Sequence, residues 1–260
     1  MHLPWTFLFI GSMLSLSLQS NPDPAPDQPQ MRDDANSRIA HEQLCRKASQ
    51  GTIDVYFVGD SITRRWGATD YPELLAQWQK SFFGWNAANF GWGGDRTQNI
   101  LWRLRNGELE GVRPKVFVVL AGTNNLTAQT DPQAAQAIAN GIIEIVHTCR
   151  RTAPEATVVL MAIFPRGDLP HAGRHIEQIN QQLARFADGE KVRFLSINDQ
   201  LVDNHGEPKS DYFPDRLHPS LPAYQIWADA LRPFLLQRLG PPASTDHAPP
   251  PTGDPKAAPR

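Results

Sequence analysis

The stretch KVFVVLAGTNN, residues 115–125, is an apolar and β-branched run that stops at a glycine and a group of polar side chains. A run that is apolar at every position, rather than at alternate ones, is typical of a strand buried on both faces of a parallel sheet. Runs of the same kind are IDVYFV at 53–58, TVVLMAIF at 157–164, VRFLSIN at 192–198 and, more weakly, NAANFG at 86–91. The sequence therefore predicts five parallel strands.

Helical patterns alternate with these runs. Asp131 and Pro132 form an N-cap and a first-turn proline, and an apolar face at helical spacing follows them. Further helices are predicted over 175–186 and 223–239. This alternation predicts an α/β chain folded as a three-layer α/β/α sandwich, in which the functional site lies beyond the carboxyl ends of the strands.

The composition excludes several classes of protein. The 260 residues hold 25 Lys+Arg against 27 Asp+Glu, a net charge of −2 that predicts no nucleic-acid partner. The two cysteines, Cys45 and Cys149, are too few for a disulfide scaffold or a four-cysteine zinc site. They either pair with each other or are buried thiols. No apolar stretch after residue 20 is long enough for a polytopic membrane protein.

Both ends of the chain differ in composition from the residues between them. The apolar run LPWTFLFIGSMLSLSL at 3–18 predicts a signal peptide over 1–20, with an uncleaved anchor as the alternative. Residues 21–32 are predicted to form a proline-rich linker. Residues 241–260 contain seven of the 23 prolines and predict a disordered tail. The folded domain then spans 33–240.

Polar residues follow three of the predicted strands. Ser61 lies in a strand-to-helix turn, where it is either a nucleophile or simply an N-cap. Gly94 precedes Asp95, the predicted N-cap of a helix with Gln98 completing a capping box. The backbone N–H of this glycine is open to a ligand, unless the glycine only makes a turn. Asn124 offers a side-chain N–H to an oxyanion, or forms an Asx turn.

Asp215 and His218 stand three residues apart near the carboxyl end of the domain. On a tight turn the carboxylate can orient the imidazole and stabilise its cation, although an ordinary surface loop is the alternative. His205, close to Asp203, is a second candidate base, but its segment NHGEP predicts a turn. A serine, two oxyanion donors, a base and an orienting acid form the inventory for acyl transfer.

In the same order, these blocks resemble those of the SGNH or GDSL-type hydrolases. The resemblance covers about residues 51–239, and residues 89–125 with IFPRG at 163–167 are similar to the catalytic subunits of the platelet-activating-factor acetylhydrolases. It implies a flavodoxin-like sheet and no cofactor or metal. The site residues it implies are the nucleophile Ser61, the acid Asp215, the base His218, and the oxyanion donors Ser61, Gly94 and Asn124. GDSIT at 59–63 in place of GDSL, and Asn125 where many members have aspartate, are departures from the family pattern.

Three residues near these blocks are candidates for contact with substrate. Trp92 lies between two glycines beside the expected oxyanion hole, where it would line an acyl pocket or stack on a sugar. Asn125 is predicted to bind substrate. Arg166 either contacts substrate or is solvated in its loop.

We therefore expect a secreted or periplasmic serine esterase that hydrolyses short-chain acetyl esters, most closely a carbohydrate or aryl acetylesterase. The expected partner is a small-molecule or glycan ester, with no stable membrane insertion once the signal peptide is removed. A lysophospholipase or platelet-activating-factor-like acetylhydrolase is one alternative. A non-catalytic glycan-binding module on the same fold is an alternative of another class. The oligomeric state stays open.

Overall fold

A computed structural model describes residues 24–257, so the predicted signal peptide over 1–20 lies outside the described residues. The five strands form one sheet in the order β2-β1-β3-β4-β5, and every neighbouring pair is parallel. The strands are Val55–Gly59 (β1), Ala87–Gly91 (β2), Val116–Leu120 (β3), Thr157–Met161 (β4) and Val192–Leu195 (β5). Each coincides with a predicted run, β1 ending one residue beyond it at Gly59, so the prediction of a five-stranded parallel sheet is confirmed.

Helices cover both faces of the sheet. The α-helices of the described chain are Ala35–Ala48 (α1), Ser61–Trp66 (α2), Pro72–Phe82 (α3), Thr97–Arg103 (α4), Pro132–Thr152 (α5), Ala172–Phe186 (α6), Asn198–Leu201 (α7) and Leu221–Leu239 (α8). Successive side chains of a strand point to opposite faces, so Val55 and Phe57 pack with α2, α3 and α8, while Tyr56 and Val58 pack with α4, α5 and α6. The three-layer α/β/α sandwich is confirmed.

The register of the strands brings three strand ends to one level. Gly59 at the end of β1 is opposite Gly91 in β2 and Leu120 in β3. The chain leaves β1 for β2 on one side and returns for β3 on the other, which makes the end of β1 a topological switch point. Residues that follow these three strands therefore meet at one crevice.

The proline-rich tail is ordered along residues 241–257, which corrects the prediction of disorder. Asp246 Oδ2 accepts hydrogen bonds from the backbone N–H groups of Gly84 at 2.6 Å and Asn86 at 3.3 Å. The backbone N–H of Thr52 donates to the carbonyl oxygen of His247 at 2.8 Å. Proline loses little backbone freedom on ordering, so a few such contacts hold an extended proline-rich segment against the domain.

The segment before α1 is also packed against the domain rather than a free linker. Within its described part, the carbonyl oxygen of Pro24 accepts from Gln98 Nε2 at 3.0 Å, and that of Pro26 accepts from Thr97 Oγ1 at 2.7 Å. The Gln30 N–H donates to the carbonyl oxygen of Gln98 at 3.0 Å. The segment therefore runs along the start of α4. Composition did not indicate this, because the partners lie about 70 residues away in the sequence.

Cys45 and Cys149 are free thiols, so the pairing alternative is not realised. Cys149 is buried, and burial raises the pKa of its thiol far above the ordinary value. Cys45 is partly buried next to His41, with its Sγ 3.6 Å from Nε2 of that ring. In residues 24–257 there is no helix of the length and apolar character that crossing a membrane requires.

Candidate active site

Ser61 lies in the turn between β1 and α2. Asp60 is the N-cap of α2, because its Oδ1 accepts a hydrogen bond from the Ile62 N–H at 2.9 Å. The alternative that Ser61 is merely the cap is therefore wrong. Gly59 has to lack a side chain here, since a Cβ would lie 2.0 Å from Thr63 Oγ1. This tight turn makes Ser61 the first residue of α2 and leaves its side chain only partly buried.

His218 connects Ser61 to Asp215. Its Nε2 lies 2.9 Å from Ser61 Oγ, and its Nδ1 lies 2.7 Å from Asp215 Oδ2. The other carboxylate oxygen, Oδ1, accepts from the backbone N–H groups of Leu217 at 3.0 Å and His218 at 2.7 Å. The turn of residues 215–218 thus holds acid and base together before α8 begins, and it brings them to a serine 157 positions away. This arrangement lets an imidazole accept the proton of a serine hydroxyl.

The surroundings of His218, burial above all, favour the neutral form of its ring more strongly than the sequence predicts. Burial lowers the pKa of His218, the hydrogen bond that its ring donates to Asp215 opposes that effect, and the Arg65 cation lowers the pKa further, so the net shift is downward from 6.5. Partial burial raises the pKa of Asp215, but the N–H groups of His218 and Leu217 and the ring of His218 outweigh it and bring the pKa to about 2. Asp215 thus raises the pKa of the imidazole, as expected, but burial and Arg65 outweigh it, so the net shift of the His218 pKa is downward.

Gly94 and Asn124 meet beside the same crevice. Gly94 follows β2 with a left-handed backbone, at a φ of 77°, and Asn124 lies in a short 3₁₀ turn after β3. The Asn124 Nδ2 donates one hydrogen bond to the carbonyl oxygen of Asp95 at 2.9 Å. That bond fixes the amide next to Gly94 and leaves its second N–H available to a ligand.

Asn125 holds α4 instead of facing the crevice. Its Oδ1 accepts from the Thr97 N–H at 2.9 Å, and its Nδ2 donates to Gln98 Oε1 at 2.8 Å. The first N–H groups of a helix have no partner inside the helix, and Asn125 satisfies one of them. The amide oxygen and one N–H of Asn125 thus hold α4, and its contact with substrate stays a prediction.

The sequence predicts Asp95 as the N-cap of α4, but the structure buries it fully between two arginines instead. Its Oδ2 accepts from Arg103 Nε at 2.6 Å, and its Oδ1 accepts from Arg32 Nη1 at 3.4 Å. Arg96 takes the N-cap position, and its backbone N–H donates to Asn99 Oδ1 at 3.0 Å, so Asn99 takes the place predicted for Gln98. Two guanidinium partners stabilise a buried carboxylate more than helix N–H groups alone.

Trp92 is only 6% exposed, and its indole packs toward α1. Its Nε1 donates to Ser37 Oγ at 3.0 Å, and the guanidinium carbon of Arg64 lies 5.0 Å from its ring centroid. Together with residues of α1 and α4 it lines a cavity of about 210 Å³. The structure thus shows the Trp92 ring as buried packing rather than as an exposed surface on which a sugar could stack, and its role in lining an acyl pocket stays a prediction.

Sequence reasoning missed the part played by two arginines. Arg65 Nη1 lies 3.4 Å from Asp215 Oδ2. Arg166 is paired rather than solvated, since its Nη1 donates to the carbonyl oxygen of Thr123 at 2.7 Å and its Nε to Asp168 at 2.8 Å. Their partners are distant in sequence or lie on loops, so no local pattern indicates them.

His205 stays outside the site. Its backbone N–H donates to Asp203 Oδ1 at 2.8 Å in an exposed turn, as NHGEP predicts. Within residues 24–257, no cluster of three or more His, Cys, Asp or Glu side chains is arranged to hold a metal ion.

The chain is similar to several known ester hydrolases. Residues 57–226 match the model of the GDSL-like Lipase/Acylhydrolase family. Platelet-activating factor acetylhydrolase IB subunit alpha1 of Homo sapiens is 33% identical over 225 residues, which cover 85% of this chain and 90% of that protein. Subunit alpha2 of Bos taurus is 34% identical over 207 residues, covering 76% and 83% respectively.

A solved structure shares the fold. The GDSL-like lipase of Bacteroides thetaiotaomicron superposes with a TM-score of 0.61 at 20% identity, over 79% of this chain and 98% of that one. The five-stranded parallel sheet described above therefore has the fold of that structure. The family model covers most of the domain, and the two relatives are more than 30% identical over most of this chain. The chain therefore belongs to the GDSL-like lipase/acylhydrolase family and is an ester hydrolase.

Proposed function

We propose that this chain is a serine esterase that hydrolyses short-chain esters, above all acetyl esters, with Ser61 as its nucleophile. The observation that carries the proposal is the chain of hydrogen bonds from Ser61 Oγ through His218 to Asp215, at 2.9 and 2.7 Å. His218 Nε2 takes the serine proton as Oγ attacks the ester carbonyl carbon. It then protonates the departing alcohol, and a water molecule repeats the sequence on the acyl-enzyme.

The negative charge of the tetrahedral intermediate needs donors placed before the reaction. We assign this role to the backbone N–H groups of Ser61 and Gly94 and the amide of Asn124. They follow β1, β2 and β3, whose ends are level. The N-terminal end of α2 at Ser61 also favours negative charge. Donors that are fixed in advance stabilise the developing oxyanion without reorganisation in the transition state.

Asn124→Ala is expected to lower kcat by about 10²–10³ with a smaller change in KM, because the lost donor acts mainly on the developing charge. Steady-state kinetics on an acetyl ester measure both constants. Asn140→Ala, which removes an amide from the exposed side of α5, is the matched control. An increase in KM at constant kcat would instead make Asn124 a substrate-binding residue.

The pH profile is expected to follow the lowered pKa of His218. Catalysis requires the neutral imidazole, so kcat/KM falls as the pH drops through that pKa, and the acid limb should have its midpoint below 6.5. Arg65→Met removes a cation that lowers the pKa and should move the limb upward. Profiles from pH 4 to 9 on a non-ionising acetyl ester test this, with the exposed Arg113→Met at the opposite end of the sheet as control. A limb that moves downward in Arg65→Met would refute the assignment.

The acetyl preference rests on the resemblance to relatives named acetylhydrolases. Rates on p-nitrophenyl esters are expected to fall from C2 to C10. Each methylene contributes up to about 0.8 kcal/mol when it can be buried and nothing when the site has no room for it. kcat/KM values across C2, C4, C6, C8 and C10 measure the effect. Values that rise steadily with chain length would favour a lipase-like enzyme.

The alcohol part of the substrate is proposed to lie in a groove of about 730 Å³ beside the site. Arg166, which contacts Thr123, and Arg216, which follows Asp215, both line it. Its size is sufficient for a sugar or a lipid headgroup. We favour a carbohydrate or aryl acetyl ester, and the identity to platelet-activating-factor acetylhydrolases supports a phospholipid-like acetyl ester as the second candidate. Acetate release from acetylated xylan and from an acetyl phospholipid, measured side by side, distinguishes them.

A non-catalytic glycan-binding module does not require a serine hydrogen-bonded to an oriented imidazole, so this contact favours an enzyme over that alternative. Export through the predicted signal peptide over 1–20 stays a prediction, which the N-terminal sequence of the mature protein tests.

A further inference from the structure

Arg32, in the segment before α1, reaches the glycine turn beside the active site. Its Nη1 donates to the carbonyl oxygen of Gly93 at 2.6 Å and lies 3.4 Å from Asp95 Oδ1. Its Nε donates to Asp34 Oδ2 at 3.0 Å. A Cβ at Gly94 would lie 3.2 Å from the same Nη1, so the guanidinium passes directly beside this glycine. Glycine at position 94 thus allows both the left-handed backbone conformation and the close approach of the Arg32 guanidinium.

The Gly93 carbonyl and the Gly94 N–H belong to one peptide group. Glycines flank this group on both sides, and a Cβ at Gly93 would meet nothing within 4 Å, so side-chain packing does not fix the orientation of the peptide plane. Two hydrogen bonds act on it: the Asp95 N–H closes the turn by donating to the Trp92 carbonyl oxygen at 3.4 Å, and the shorter bond from Arg32 holds the Gly93 carbonyl itself. A charged donor on the carbonyl oxygen also polarises the peptide, which makes its N–H a stronger donor.

We propose that Arg32 is a positioning residue of the oxyanion hole: it orients and polarises the 93–94 peptide so that the Gly94 N–H stabilises the negative charge of the transition state. The inference rests on the proposed function, because it acts through the Gly94 N–H. It gives the segment before α1 a part in the reaction. Arg32 itself does not touch the reacting atoms.

The neighbours of Arg32 keep their other partners when it is replaced. Asp95 retains its 2.6 Å bond to Arg103, so its buried carboxylate is not left without a cation. Asp34 retains its bond to the Ser37 N–H at 2.9 Å and still caps α1. The Arg32 side chain is 31% exposed, so its truncation opens no closed cavity. A variant at this position is therefore expected to fold.

The test compares Arg32→Met, which removes the charge and the donor, with Arg32→Lys, which keeps both. Arg38→Met, which replaces an exposed arginine of α1, is the control. We expect Arg32→Met to lower kcat on p-nitrophenyl acetate about tenfold, less than the loss of a whole oxyanion donor, with KM changed by less than about twofold. Arg32→Lys should keep more than half of kcat, and Arg38→Met should be unchanged. Titration with a fluorophosphonate counts the competent active sites, so partial unfolding does not distort kcat.

An unchanged kcat in Arg32→Met would overturn the proposal, as would a loss carried by KM, which would make Arg32 a substrate ligand. A lysine variant as slow as the methionine variant would overturn it too. Failure of the proposed function gives a different result, because Ser61→Ala would then retain activity in the otherwise wild-type protein.

Discussion

Ser61→Ala should leave the protein folded and lower kcat on an acetyl ester by about 10⁴–10⁶, the scale on which removal of a catalytic serine acts. The expectation is this large because the substitution removes the attacking oxygen itself. Ser61 Oγ is the atom to which His218 Nε2 points at 2.9 Å, and Asp60 rather than Ser61 caps the helix. The substitution removes one hydrogen bond, so the free energy of unfolding should fall by no more than about 1 kcal/mol.

The measurement combines steady-state kinetics with labelling by a fluorophosphonate, which reacts only with an activated serine. Ser49→Ala, at the exposed end of α1, is the matched control and should retain both activity and labelling. A Ser61→Ala protein that keeps more than a tenth of the wild-type kcat would remove Ser61 from the nucleophile role.

Asp215→Asn should cost on the order of 10⁴ in kcat, as it does where a triad acid is made neutral without a change of shape. Oδ1 of Asp215 accepts two backbone N–H groups, so an asparagine will keep its carbonyl oxygen there. Its NH₂ group then takes the place of Oδ2, 2.7 Å from His218 Nδ1. A donor at that point favours the tautomer that carries its proton on Nε2, which cannot accept a proton from Ser61.

The acid limb of the remaining activity should also shift downward, because Asp215 raises the pKa of His218 against the larger effect of burial. Asp203→Asn is the matched control. Its Oδ1 accepts from the N–H groups of His205 and Glu207 in a turn of similar construction, so it tests the exposed histidine at the same time. Greater loss in Asp203→Asn than in Asp215→Asn would make His205 the base.

The parallel sheet and the positions of the candidate site residues at strand ends could be predicted, because both depend on local sequence patterns. Strands buried on both faces have to be apolar at every position, and a parallel sheet places every strand end at one edge. Ser61, Gly94 and Asn124 follow three such strands, so their meeting follows from the topology alone. Asp215 and His218 are three residues apart, and one turn is enough to join them.

Other features depend on contacts between residues far apart in the chain. The disordered tail was a wrong prediction, because composition measures the low apolar content of residues 241–257 but not the backbone groups of Gly84 and Thr52 that they bond to. Asn125 is predicted to bind substrate. Only the packing of α4 shows that its amide holds the helix.

The sequence by itself determined the α/β class, the parallel sheet and the candidate residues for the chemistry, since apolar periodicity and strand-end position are properties of neighbouring residues. The tertiary structure alone decided which charges act on that chemistry. Arg65 meets Asp215 across 150 positions, and Arg32 meets the Gly93 carbonyl across 61. An arginine has the same local pattern whether it is solvated or paired, and only the folded chain brings its partner within 3 to 4 Å, where Coulombic attraction and hydrogen bonding become strong.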